Sequence, residues 1–203
     1  MKEVVLIGWM ALAIEARADG PEVLAPALSI RVYNLAGIPQ SDLEKMDHQA
    51  VKIFSFAGIR LSWSVGDPKA SEAHLLDMSA PMSEPAPPVP RTLVLRIVPQ
   101  ADASYPPEVL GRALPWAQRG AHVTLFLNHI KKVQQQHEIA ISLLCAYALA
   151  HEVAHVLLRS ASNVHAAQGL MRAEWGPAEY DRIAHEALKF TPQLAAAMRA
   201  VLR

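Results

Sequence analysis

The chain has 203 residues, 52% of them hydrophobic and 19% charged, with 19 basic side chains balanced by 19 acidic ones. That length gives room for one globular domain with a real core, and the apolar share excludes a mainly disordered chain. Zero net charge argues against a bulk-charge grip on nucleic acid or anionic membrane, while a lone cysteine, Cys145, excludes an internal disulfide framework or a Cys-rich zinc module.

Residues 1–18 carry Lys2, an uncharged apolar run from Val4 to Ile14, and Ala16-Arg17-Ala18 ahead of Asp19. A basic start, a short apolar run and a small-x-small site are the marks of a signal peptide, so the chain is expected to be exported, secreted or periplasmic. The run is too short for a permanent span, and no later segment offers about 18 uninterrupted apolar residues. The processed chain is therefore expected not to insert stably in a membrane. Its oligomeric state has no signature in the sequence.

Residues 28–33 (Leu28-Ser29-Ile30-Arg31-Val32-Tyr33) alternate apolar with polar, the period of a half-buried strand. Gly37 and Pro39 break it. Ser41 suits a helix N-cap, with Glu44 completing a capping box. Leu43, Met46, Ala50, Ile53, Phe54 and Ala57 then recur at helical spacing up to Gly58. Residues 59–65 alternate again, so a strand–helix–strand crossover with two parallel neighbours is expected. Five prolines between Ser79 and Pro90 predict an extended surface loop. Residues 92–98 form a third strand, apolar enough to be central, and 99–120 read as a long irregular segment. Residues 123–127 form a fourth. Its face of His122, Thr124, Phe126 and Asn128 is more polar than its face of Val123, Leu125 and Leu127, as an edge strand would be. Neither Gly nor Pro occurs from His137 to Leu158, where apolar residues cover nearly every side of a helix and place it at the domain's centre. Pro177 opens another helix through Leu188, and Thr191-Pro192 starts a last short one.

Within that oily central helix lies His151-Glu152-Val153-Ala154-His155, the pattern H-E-x-x-H. Four residues advance a helix by about 400°, so the two imidazoles sit about 40° apart and about 6 Å along the axis. Both reach one tetrahedral ion, and Glu152 lies where its carboxylate meets a metal-bound water rather than the metal. With nine histidines in the chain, an accidental match carries a likelihood of about 2%. Two histidines and a glutamate in a buried helix are also costly unless paired or metal-bound. A self-satisfying polar network in the core is the plain alternative.

A catalytic zinc takes three protein ligands and keeps one open position. His165, ten residues beyond His155 and past the polar stretch 159–163, leads as the third; Glu174 is the rival. His185 and Glu186 are more remote, with a solvated helix face as their default reading. Tyr180, Arg172 and His129 are possible oxyanion donors, with a surface or structural role as the default reading of each. Cys145, about 240° around the helix from His151, reads as a buried small hydrophobe.

On His151-Glu152-x-x-His155, the later His165 and Gly169-Leu170-Met171, the sequence resembles the zincin metallopeptidases, on their metzincin-like side. Met171 corresponds to the methionine turn of that group. The block 150–175, ending Gly169-Leu170-Met171-Arg172-Ala173-Glu174-Trp175, is also similar to small exported bacterial proteins with an H-E-x-G-H-x-L-L motif and a G-I-M-R-x-x-W stretch. Ala154 replaces the frequent glycine, Leu158 stands where the extended signature has another, and the spacing to the third histidine is longer. The resemblance implies that residues 19–203 form a single α+β, zincin-like domain. Its sheet would be mixed, mostly parallel and four-stranded with an antiparallel edge strand, packed on a central H-E-x-x-H helix with C-terminal helices. It implies a Zn2+ metallopeptidase in which Glu152 activates zinc-bound water. A peptide or protein substrate would lie along edge strand 123–127, and nucleic acid would have no role. An exported zinc-binding module without catalysis, serving interaction or inhibition, stands as the alternative. Glu152 speaks against it, because a structural site has no use for a base.

Overall fold

The computed structural model describes residues 25–67, 91–115, 121–159 and 165–203. The signal-peptide reading of 1–18, the proline-rich loop 79–90 and the polar residues 160–163 lie outside them. The architecture is α+β, with five strands and five helices among the described residues. None of these helices is long and apolar enough to cross a membrane.

Strand β1 (Ala27–Asn34) leads through helix α1 (Gln40–Phe56) to strand β2 (Arg60–Val65), and the two strands pair in parallel from Ala27↔Arg60 to Val32↔Val65. The crossover expected from the periodicity is present. The cap differs: the helix starts one residue before Ser41, after Pro39, and no side chain caps it. Pro39 has its φ fixed near the helical value, and its carbonyl accepts from the Asp42 and Leu43 N–H groups. Strand β3 (Thr92–Val98) pairs in parallel with β1 on one side and with strand β5 (Ala121–Phe126) on the other, so it is central, as expected.

Strand β4 (Gly111–Leu114) pairs antiparallel with β5 and ends the sheet, whose order is β2-β1-β3-β5-β4. The sheet therefore has five strands, not four, and the segment 121–126 is interior rather than an edge. Its polar face misled because it is buried. All six residues of β5 are buried, and the ring of Tyr105 covers that face at 5.0 Å from Phe126. The edge on this side of the sheet is four residues long, too short to display a period.

Helix α2 (Leu127–His137) follows β5 without a break, where the sequence pattern ends a strand at 127 and predicts no element before His137. Its apolar residues are few: Leu127, Ile130 and Val133 are buried along one stripe. It ends at Glu138, whose φ of 56° is left-handed and whose N–H bonds to the Gln134 carbonyl. The central helix α3 (Ile141–Leu157) thus starts four residues later than His137. Fourteen of its seventeen residues are buried, which places it at the heart of the core. It packs on α1, β4 and β5. Arg159, at φ 51°, turns the chain off its end. Helices α4 (Pro177–Ala184) and α5 (Pro192–Val201) complete the fold, the latter capped by the Thr191 hydroxyl accepting from the Leu194 N–H.

Candidate metal centre and cleft

The helical repeat of α3 brings His151 and His155 onto one face, with ring centroids 4.9 Å apart and their Nε2 atoms at 3.1 Å. Two bare lone pairs at that distance repel, so a proton or a cation belongs between them. Tetrahedral zinc with Zn–N bonds of about 2.0–2.1 Å sets neighbouring nitrogens about 3.3 Å apart, so the pair fits such an ion. His165 completes the group. Its ring lies 4.9 Å from that of His155, edge-on, and 5.6 Å from that of His151. The ligating atoms of the three all fall within 4.8 Å of one another. Glu174 is exposed and lines the same cleft but is not in this cluster.

Backbone bonds bring His165 back to the helix. The Ala166 N–H bonds to the Met171 carbonyl, and the Leu170 N–H to the Lys189 carbonyl. Gly169, at φ +83°, sits where a Cβ would come within 2.8 Å of that Lys189 oxygen, so only glycine fits the turn. Met171 is fully buried in the core.

His151 Nδ1 lies 2.9 Å from the Leu170 carbonyl oxygen. A carbonyl only accepts, so Nδ1 carries the proton and Nε2 presents its lone pair to the centre, the tautomer a metal requires. Burial holds the His151 imidazolium down to about 4, helped by the charges of His155 and His165 and opposed by the Leu170 bond. Glu152 keeps only a little exposed surface, and burial pushes its carboxyl up to about 8. Strand β4 presses on it: a Cβ at Gly111 would sit 3.2 Å from Glu152 Cγ.

These groups open onto a cleft of about 930 Å³ bounded by β4, α2 and the 172–175 segment. Tyr180 and Arg172 also line it. Tyr180 is half-buried, stacks on His137 at 4.2 Å, and its phenol is pushed up by burial. Arg172 donates to buried Glu179 at 2.8 Å. His129 does not line the cleft; it is buried with Nδ1 on the Val109 carbonyl at 2.8 Å, the structural role of its default reading and not that of an oxyanion donor. His185 bonds to the Asp181 carbonyl, and Glu186 binds Gln49 and Lys52, so neither serves the cluster. Cys145 is fully buried, with its thiol pushed up to about 12 by burial.

The sequence did not point to the Leu170 carbonyl or to Gly111. A backbone acceptor carries no residue-type signal, and Gly111 stands out only once β4 is known to pass over Glu152.

No family model and no curated protein matches the chain. Among solved structures, the archaemetzincin of Methanopyrus kandleri is similar over 90% of this chain and 98% of its own, with 11% identity and a TM-score of 0.48.

Proposed function

We propose that this protein is an exported zinc metallopeptidase that hydrolyses peptide bonds with Glu152 as base. The observation that carries the reading is the convergence of His151, His155 and His165 beside a buried carboxylate on the wall of an open cleft. A structural zinc site would be closed, whereas this one faces space large enough for a peptide. The three histidines would hold the ion, which when bound acidifies water and polarises a carbonyl. Glu152, ionised once the cation's charge offsets its burial, would take the proton of the attacking water and return one to the leaving amine. The extended substrate lies along β4, because this is the terminal strand nearest Glu152 and its outer main-chain groups suit strand addition. Export rests on residues 1–18 alone.

The test is metal analysis of purified protein alongside a peptide-library cleavage assay for the wild type, His151→Ala and Glu152→Gln. We expect about one zinc per chain, weakened in His151→Ala. Glu152→Gln keeps zinc and loses about 10²–10⁴-fold in turnover. Undiminished cleavage by Glu152→Gln overturns the role of the base, and zinc binding with no cleavage by the wild type returns the chain to a non-catalytic module.

A further inference from the structure

The Leu170 carbonyl oxygen accepts two side-chain N–H groups. One is His151 Nδ1 at 2.9 Å; the other is the indole Nε1 of Trp175 at 3.1 Å. A carbonyl has two in-plane lone pairs, and here each has its own donor. Trp175 also stands edge-on to the His151 ring, with centroids 5.7 Å apart and planes at 85°. Tyr180 is edge-on to the indole in turn, at 6.4 Å.

We propose that Trp175 is a positioning residue for the metal ligand His151, acting through the carbonyl they share. The proposal rests on the metal-site reading above. The indole N–H fixes the orientation of the peptide plane after Leu170, so that the second lone pair is aimed at His151 Nδ1. That bond selects the Nδ1–H tautomer and leaves Nε2 facing His155. The indole also packs at right angles to the imidazole, 5.7 Å between centroids, and so narrows the room for its rotation. Neither effect asks Trp175 to touch substrate or ion. Leu170 is also held through its N–H on the Lys189 carbonyl, so the peptide units on both sides of this residue are anchored, the preceding one by Lys189 and the following one by the indole.

The experiment removes the donor and keeps the shape: benzothienylalanine, which carries sulfur in place of the indole N–H, is incorporated at position 175 of the full chain. Trp175→Phe is made in parallel. In metal-free protein above neutral pH, ring-nitrogen NMR of ¹⁵N-labelled histidine reports the tautomer of His151. We expect a single Nδ1–H form in the wild type and a mixture of tautomers in the benzothienyl variant. Zinc affinity, measured by chelator competition, should fall about tenfold, within the range for outer partners of metal ligands. The sulfur analogue should unfold at nearly the wild-type temperature, which separates loss of aim from loss of packing. An unchanged tautomer in that variant overturns the proposal, whatever happens to zinc. Absence of zinc binding by the wild type sinks the metallopeptidase reading instead, while the tautomer still decides the role of Trp175.

Discussion

Gly111 lies opposite Glu152: the backbone of the sheet's last strand passes so close to that side chain that an added Cβ would stand 3.2 Å from Glu152 Cγ. The same Cβ would stand 2.8 Å from Leu125 Cδ2 and from the Thr124 carbonyl oxygen. A leucine methyl gives way, but a sheet carbonyl does not. Gly111→Ala must therefore push β4 outward or displace Glu152. We expect a loss of about 1–3 kcal/mol of stability by denaturant unfolding, with turnover reduced at least about tenfold and zinc content unchanged. Wild-type stability together with wild-type turnover would show that the strand has slack there.

Glu152 and His151 predict how metal-free protein responds to pH. Glu152 has a folded pKa of about 8 against the usual 4.5, so its unfolded form loses its proton first. Its contribution is fully present below pH 4.5 and is lost as pH rises towards 8. For His151 the folded value is about 4 against 6.5, so stability is lost as pH falls through that window. The two windows overlap between pH 4.5 and 6.5, where the opposite slopes cancel, so metal-free protein should be most stable there, with the alkaline slope approaching about 1.4 kcal/mol per pH unit above it. In urea titrations across pH, Glu152→Gln should flatten the alkaline limb and unmask the His151 rise between pH 4.5 and 6.5, and an unaltered alkaline limb would mean another group causes it.

The third ligand can be read from thermal stability. A metal that binds only the folded state stabilises it by about 2.7 kcal/mol at a hundred times Kd. We expect zinc to raise the Tm of the wild type and of Glu174→Ala equally, and EDTA to reverse the rise. His165→Ala should lose most of it, since His165 and not Glu174 lies in the histidine cluster. A full zinc-dependent rise in His165→Ala with none in Glu174→Ala would move the ligand to Glu174.

The elements that sequence made legible are those with a long period and a single environment. Leu43 through Ala57 repeats every turn and buries one face, β1 alternates over six residues, and β3 is an apolar run of the kind a central strand needs. The H-E-x-x-H spacing was legible because two rings one turn apart share a bearing whatever surrounds them. What failed was short, or depended on neighbours remote in the chain. Strand β4 has four residues, and β5 looked like an edge because its polar side is covered by the Tyr105 loop rather than by helices. The left-handed turn at Glu138 uses neither glycine nor proline, so an unbroken run hid a boundary between two helices. That His165 and not Glu174 closes the cluster follows from backbone bonds to Met171 and Lys189, which side-chain identities do not announce.

His129 separates binding from chemistry. Buried beneath the cleft wall, it holds the Val109 carbonyl at 2.8 Å, two residues before the start of β4, and its ring packs edge-on against Phe126 at 5.9 Å. The Phe126 N–H meanwhile bonds to the Leu110 carbonyl at 2.9 Å, so residues 109 and 110 are pinned on both sides of the entry to the edge strand. His129→Phe keeps the aromatic packing and leaves the Val109 carbonyl without this donor, at a cost of about 1–3 kcal/mol if that oxygen stays buried. Strand β4 should then sit less firmly against β5, while the histidine cluster and Glu152, held by α3 and the 165–171 turn, stay in place. Steady-state kinetics on a peptide substrate should therefore show KM raised several-fold, with kcat and zinc content close to wild type. A fall in kcat at constant KM would mean that the edge strand positions Glu152 and not the substrate.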